Sequence, residues 1–221
     1  MKRILRENGL TIVLLALFAI SLIGQAATGY VSDNSDRQQH GQAVQPLVAY
    51  LISGAFLSSL FENWESEFLQ MSAYVVLTAY LMQRGSPESR DLDEPSPQDR
   101  DPALDAGRKD APWPVRAGGM LRVLYSHSLG LALFALFVLS FALHFINSAR
   151  DAAETAAAHG EAVGTLLSHL DEAGFWFESF QNWQSEFLST AVLVVLGIVL
   201  RERGSPESKP VAAPHAQTGS T

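Results

Sequence analysis

Four segments of the chain combine apolar residues with helical length, and charged residues lie almost entirely between them. Residues 10–27 and 129–146 each form a run of 18 residues without a charged side chain. At 1.5 Å per helical residue, 18 residues extend about 27 Å, which is close to the hydrocarbon thickness of a bilayer. These two runs predict membrane-spanning helices.

Two further apolar runs, residues 68–82 and 187–200, are shorter, and by length alone they fit buried core helices equally well. Each follows a tryptophan and ends at an arginine, which is the arrangement that anchors a span at its two membrane interfaces. The flanking residues are Trp64 and Arg84 for the first run and Trp183 and Arg201 for the second. We therefore predict an all-α integral membrane protein with four transmembrane helices.

The chain repeats itself at an offset of 119 residues. Residues 63–69, Asn-Trp-Glu-Ser-Glu-Phe-Leu, match residues 182–188 at six of seven positions, and residues 84–89, Arg-Gly-Ser-Pro-Glu-Ser, are identical to residues 203–208. Each copy contains two predicted spans, so both copies enter the membrane in the same direction. The expected architecture is two parallel two-helix repeats, with helical extensions on the outer side.

The expected domain organisation follows from this repeat. The first two-span repeat comprises residues 1–89 and the second comprises residues 117–208. The segment between them, residues 90–116, is rich in proline and charge and poor in aliphatic residues, as is typical of a disordered or extended linker. Residues 209–221 have a similar composition and are expected to be a disordered cytoplasmic tail.

Positive residues indicate the orientation. All but two of the 15 lysines and arginines lie in the terminal segments and the linker, the exceptions being Arg37 and Arg150 in the two hairpins. The positive-inside rule then places both termini in the cytoplasm of a multi-pass protein of the cell (inner) membrane. Residues 1–27 also resemble a signal peptide, but the matching segment of the second copy lies in mid-chain, which favours a retained span.

Composition excludes several classes of function. The chain has no cysteine, so it has no disulfide and no thiolate-bound metal. A net charge of −8 and the lack of a basic stripe argue against nucleic acid as a partner. No nucleophile–base or phosphate-loop motif is present, so we expect no enzyme and no cofactor. His40 and His159 each precede a glycine, where capping a helix is favoured over binding a metal with the outer carboxylates.

The repeated Asn-Trp-x-Ser-Glu-Phe-Leu segment is the first candidate site. On a helix, Asn63, Glu67 and Gln70 share one face, and Glu67 lies near the outer boundary of the hydrocarbon. A carboxylate there is costly unless it is paired or faces the bundle interior, although interfacial anchoring and helix pairing explain the same residues. The candidate face comprises Asn63, Trp64, Ser66, Glu67, Gln70, Asn182, Trp183, Ser185 and Glu186.

The repeated Arg-Gly-Ser-Pro-Glu-Ser segment is the second candidate. Helix termination and interfacial anchoring explain its arginine, glycine and proline but not its other three residues. We therefore consider it a candidate cytoplasmic contact motif. Its residues are Arg84, Gly85, Ser86 and Pro87 in the first copy and Arg203, Gly204, Ser205 and Pro206 in the second.

The order of these motifs resembles a family of small bacterial membrane proteins that is known as a domain of unknown function. The similarity extends from Glu62-Asn63-Trp64 to Arg84-Gly85-Ser86, and again over residues 175–210. The resemblance implies a tandem-duplicated inner-membrane protein. It implies no activity, ligand or catalytic residue.

Three functional classes are compatible with the sequence. The favoured one is a non-enzymatic membrane scaffold or envelope component, because few polar groups lie deep in the spans. The alternative is a small cation- or proton-conducting channel or transporter that uses Glu67 and Glu186. A membrane enzyme fits least well. The expected partners are the lipid bilayer and either another membrane protein or a second copy of the chain.

Overall fold

The computed structural model describes residues 2–219, which are about 70% helical and contain no β-strand. The expectation of an all-helical protein is therefore confirmed. Seven α-helices occur in this range: α1 (Lys2–Gln39), α2 (Leu47–Leu51), α3 (Gly54–Tyr80), α4 (Trp113–Ala117), α5 (Gly119–Ser126), α6 (Ser128–His159) and α7 (Ala173–Val199).

Three of these helices are long and apolar enough to cross a membrane, as judged over the residues that the structure describes. The qualifying segments are Arg6–Gln39 in α1, Ser128–His159 and Ala173–Val199. Helix α3 has 27 residues, but it contains no comparably apolar stretch because Glu62, Glu65, Glu67 and Gln70 lie near its middle. Length and apolarity thus indicate a membrane protein.

The chain forms two compact units. One combines Met1–Leu60 with Leu143–Asp171, and the other combines Phe61–Ala142 with Glu172–Thr221. Each unit contains residues from both sequence repeats.

In the first unit, α1 and α6 end in the same way. The amide of Gln42 donates to the carbonyl of Arg37 over 2.8 Å, and the amide of Glu161 donates to the carbonyl of Ala156 over 2.9 Å. These hydrogen bonds close Schellman turns at Gly41 and Gly160, which satisfy the last carbonyls of each helix.

The start of α3 packs very closely on α6 in this unit. A Cβ atom placed on Gly54 would lie 2.7 Å from the amide nitrogen of Asp151 and 2.9 Å from the carbonyl oxygen of Asn147. Real Cβ atoms do not approach so near to backbone, so only glycine fits here without displacement. The C-terminal part of α6 is also tied to this region by Arg150, whose guanidinium donates to the carbonyl of Ile52 over 3.4 Å.

In the second unit, the linker and tail lie in turns. The linker contains two short 3-10 helices, Pro97–Asp99 and Pro102–Asp105, and exposed ion pairs such as Arg108 with Asp110 at 2.6 Å. The described residues of the tail, up to position 219, form turns around Lys209, which is only 1% exposed.

Candidate functional site

Polar side chains of α3 pair directly with polar side chains of α7 in the second unit. The amide of Asn182 donates to the carboxylate of Glu62, and the amide of Gln70 donates to the hydroxyl of Thr190. Between these two contacts, the indole nitrogen of Trp183 donates to Glu65 Oε1 over 3.0 Å. We call these three pairs the α3–α7 seam.

The numbering of the pairs reveals the direction of the two helices. The partners in the seam are 120, 118 and 120 residues apart, close to the repeat offset of 119. Partner numbers rise together along both helices, so α3 and α7 run parallel and present corresponding positions to each other.

Glu65 is the most deeply buried member of the seam. It has no exposed surface, whereas Gln184, at the corresponding position of α7, is exposed. A carboxylate without access to water is stable only with hydrogen-bond donors, and Trp183 supplies one of them. Sequence reasoning missed Glu65 because it occupies the one position at which the two repeated segments differ.

Aromatic side chains surround Trp183, the seam residue that binds Glu65. The ring centroid of Trp183 lies 6.2 Å from that of Phe137, 6.4 Å from that of Phe141 and 5.3 Å from that of Phe180. Phe175, which is 2% exposed, packs on Phe141 at 5.7 Å. These spacings are typical of favourable aromatic contacts, and they keep water away from the indole–carboxylate hydrogen bond.

The structure divides the candidate face predicted from the sequence. Gln70, Asn182 and Trp183 belong to the seam, whereas Asn63 and Glu67 are exposed and Glu186 is partly exposed. The remaining members, Trp64, Ser66 and Ser185, lie on the same helices. The hydroxyls of Ser66 and Ser185 each donate to the carbonyl three residues earlier over 2.8 Å, so these serines satisfy their own helices.

A further carboxyl group reaches α3 from the loop beyond its end. The chain turns back after Arg84, and Glu88 Oε2 accepts a hydrogen bond of 2.9 Å from the hydroxyl of Tyr74. Gln70, Tyr74, Glu88 and Thr190 contribute to a largely apolar cleft of about 470 Å³ along the same helices. Polar contacts of α3 therefore continue beyond the seam as far as Tyr74.

Burial raises the pKa of Glu88 above its ordinary value. The hydrogen bond from Tyr74 opposes this shift, while the neighbouring carboxyl of Glu207 adds to it. Two carboxyl groups that are close together do not both ionise easily, so the proton is held more tightly. Glu88 and Glu207 occupy the same position in the two repeated loop segments.

Comparison with known proteins adds a family but no activity. Residues 1–220 match a family model described as Domain of unknown function (DUF6766). The chain belongs to the DUF6766 family. No significant match was found among curated proteins or among solved structures. The expectation of a family of unknown function is confirmed, and the function of this DUF6766 chain must be argued from its own residues.

The first repeated loop of the DUF6766 chain, residues 84–89, is folded by its two serines. Ser89 Oγ accepts from the amide of Gln83 over 2.9 Å and donates to the carbonyl of Arg90 over 3.1 Å. Ser86 Oγ accepts from the amide of Glu88 over 3.2 Å. Both serines thus stabilise the loop, which explains their presence where helix termination alone does not.

The second loop, residues 203–208, repeats this hydrogen bonding. Ser208 Oγ accepts from the amide of Glu202 over 3.0 Å, and Ser205 Oγ accepts from the amide of Glu207 over 3.2 Å. Gly85 and Gly204 have φ angles of 84° and 88°, which only glycine adopts at little cost. The six identical residues therefore encode one compact loop in both places.

The two loops differ in what covers them. Gly85, Ser86 and Pro87 are buried, whereas Arg203, Gly204 and Pro206 are exposed, Ser205 is partly exposed and Arg84 lies at the surface. The cover of the first loop is the tail of the DUF6766 chain, which is organised by Lys209. Burial lowers the pKa of the Lys209 ammonium, and Arg201 lowers it further.

Proposed function

We propose that this DUF6766 protein is a four-span, non-enzymatic scaffold of the cell inner membrane, in which α3 and α7 associate through the α3–α7 seam. The observation that carries the proposal is that the polar side chains of the seam bind one another. Polar pairing of this kind stabilises helix association in lipid, where unpaired polar groups are costly. Catalysis would instead require reactive groups left free for a substrate.

The seam also supports α3 as the fourth span. At 1.5 Å per residue, its 27 residues extend about 40 Å, which is enough to cross the hydrocarbon core. Its glutamates make it less apolar than α1, α6 and α7, but Glu62 and Glu65 have partners on α7. An even number of spans then agrees with the distribution of lysine and arginine, which favours two cytoplasmic termini.

The topology can be tested directly because the natural chain contains no cysteine. Single cysteines at Gln42, Ser96, Glu161 and Gln217 would be treated in intact cells with a membrane-impermeant maleimide. We expect labelling at positions 42 and 161 only, and labelling at all four sites after the cells are opened. Labelling of position 96 in intact cells would contradict the four-span topology.

A small cation or proton conductor is the second candidate, and the position of Glu88 favours it. Carboxyl groups lie at two places along α3, with Glu62 and Glu65 in the seam and Glu88, from the loop beyond α3, at Tyr74. Gln70 and Tyr74 lie between them, so polar groups are present along most of α3. Titratable groups inside a membrane frequently mark the route of an ion or a proton.

Purified protein in liposomes with an internal pH-sensitive dye separates the two candidates. A conductor should dissipate an imposed pH gradient faster than empty liposomes, and Glu65→Gln or Glu88→Gln should slow it at least tenfold. Glu67→Gln with Glu186→Gln tests the pair first suggested by the sequence. A scaffold should give the rate of empty liposomes in every case, and flux in the wild type would argue against a scaffold alone.

A further inference from the structure

The first repeated loop binds the tail of its own chain through three backbone groups. The carbonyl of Gly85 accepts from Lys209 Nζ over 2.5 Å, and the amide of Gly85 donates to the hydroxyl of Thr218 over 2.9 Å. The carbonyl of Ser86 accepts from the amide of Gly219 over 3.0 Å. The loop thus recognises an ammonium, a hydroxyl and an amide.

Lys209 organises the tail for this contact. Its ammonium also donates to the carbonyls of His215 and Gln217, over 2.9 Å in each case. The carbonyl of Pro214 is a fourth, longer partner at 3.5 Å. Four carbonyl oxygens around one buried ammonium hold the tail in a closed turn, and such charge-assisted hydrogen bonds are strong. The recognised ligand is therefore a lysine-centred turn.

The second loop offers the amide and the carbonyl of Gly204, while the carbonyl of Ser205 accepts from the amide of Ser208 over 3.3 Å. Gly204 is exposed, and within residues 2–219 no side chain or backbone atom lies within 4 Å of where its Cβ would be. An open hollow of about 650 Å³ lies against residues 202–206 and 208–211. Because the serine hydrogen bonds fix the same loop shape, the amide and carbonyl of Gly204 are arranged as those of Gly85 are.

The residue that follows each repeated loop explains why the second loop is open. Arg90 stands where Lys209 stands after the second loop, but its guanidinium donates to the carbonyl of Ala79 over 2.6 Å and binds Asp99. Arg90 is thus engaged elsewhere, and among residues 2–219 no segment covers Gly204, which is exposed. Glu202 replaces Gln83 there, which adds a carboxylate and favours a cation.

We propose that the second loop, residues 203–208, is a docking site for a lysine-centred turn of a cytoplasmic protein partner, chemically equivalent to the segment from Lys209 to Gly219. The first loop shows the mode of binding, and the second loop presents the corresponding glycine amide and carbonyl at an exposed site. The cytoplasmic location of the partner rests on the proposed topology. The binding itself does not, because it can be measured with both membrane faces accessible.

The test uses the full chain in lipid nanodiscs and a fluorescent, N-acetylated peptide with the sequence of residues 208–219. We expect one peptide per wild-type chain, with its own tail retained on the first loop by its high effective concentration. Lys209→Met should release that tail and raise the stoichiometry to two. The same peptide with methionine in place of its lysine should bind at least tenfold more weakly.

Matched variants test whether the peptide binds at the second loop. Gly204→Val should abolish peptide binding because its φ angle is unsuited to a branched side chain, whereas Gly85→Val should leave one bound peptide. Glu202→Lys, an exposed change that leaves the loop backbone alone, should weaken binding at least tenfold. The proposal is wrong if wild-type protein binds no peptide up to millimolar concentration, or if Gly204→Val and Glu202→Lys both bind it with wild-type affinity. Neither result depends on the maleimide labelling that tests the topology.

Discussion

Trp183 donates its indole N–H to Glu65. At the repeat offset of 119 residues the counterpart of Trp183 is Trp64, so its partner Glu65 is one residue further along the chain. Two related helices therefore do not contribute equally to their contact. One supplies the buried carboxylate and the other supplies the indole that satisfies it. Identical sequence at six of seven positions has produced an asymmetric pair.

Replacing the indole tests this pair. Trp183→Phe should lower the free energy of unfolding by about 1–2 kcal/mol, because it removes a hydrogen bond to a buried carboxylate while keeping most of the aromatic contacts. The measurement is unfolding by denaturant in detergent micelles. Gln184→Ala is the matched control at the exposed counterpart of Glu65, and it should change stability by less than about 0.5 kcal/mol.

The contact of α3 with α6 in the first unit predicts a different sensitivity. Gly54→Ala should destabilise the fold by about 1–3 kcal/mol, since a methyl group would meet the backbone of Asp151 and Asn147. Gly174→Ala, near the start of α7, has nothing within 4 Å of the new methyl group and should be tolerated. A melting temperature that falls equally in both variants would show that the close approach is not responsible.

Features that depend on local sequence were predictable. The His-Gly pairs at 40–41 and 159–160 indicated the ends of two long helices, and α1 and α6 end at Gln39 and His159. Apolar length identified three spans, because hydropathy is a property of neighbouring residues and does not require knowledge of packing.

Features that depend on which faces meet were not predictable. The helical period predicted that Glu67 shares a face with Asn63 and Gln70. In the structure Glu62 and Glu65 contact α7, and Glu67 is exposed. A helical period identifies residues that share a face but does not select the partner of that face. The contact of Glu88 with Tyr74 requires the loop to fold back, which depends on two serine hydrogen bonds that no periodicity reveals.

The serines of the repeated loops provide a graded prediction. Ser89→Ala should cost about 1–2 kcal/mol, because Ser89 is 8% exposed and its hydroxyl makes two hydrogen bonds to the backbone. Ser208→Ala removes the same two bonds at a more exposed site, where water replaces them, so its effect should be smaller. Hydrogen exchange at the amides of Gln83 and Glu202 would measure each loop separately. A larger effect at Ser208 would contradict the importance of burial.

Glu88 predicts that the stability of the second unit depends on pH in the acidic range. Its pKa in the folded chain lies above the ordinary value of 4.5, so between these two pKa values the folded chain holds a proton that the unfolded chain has released. The contribution of Glu88 to stability is therefore greatest below pH 4.5 and declines as the pH rises through the folded pKa.

Thermal unfolding in detergent at a series of pH values from 4 to 8 measures this dependence. Glu88→Gln should reduce the decline in melting temperature, because an amide does not titrate and still accepts from the Tyr74 hydroxyl. Glu207→Gln should reduce it partly, since it removes the carboxyl that helps to raise the pKa of Glu88. Carboxyl groups other than Glu88 and Glu207 are present in all three proteins, so the differences between the curves isolate this pair. An unchanged curve for Glu88→Gln would show that the Glu88 carboxyl has the same proton affinity in the folded and unfolded chain, and that the two loop glutamates are not close enough to interact.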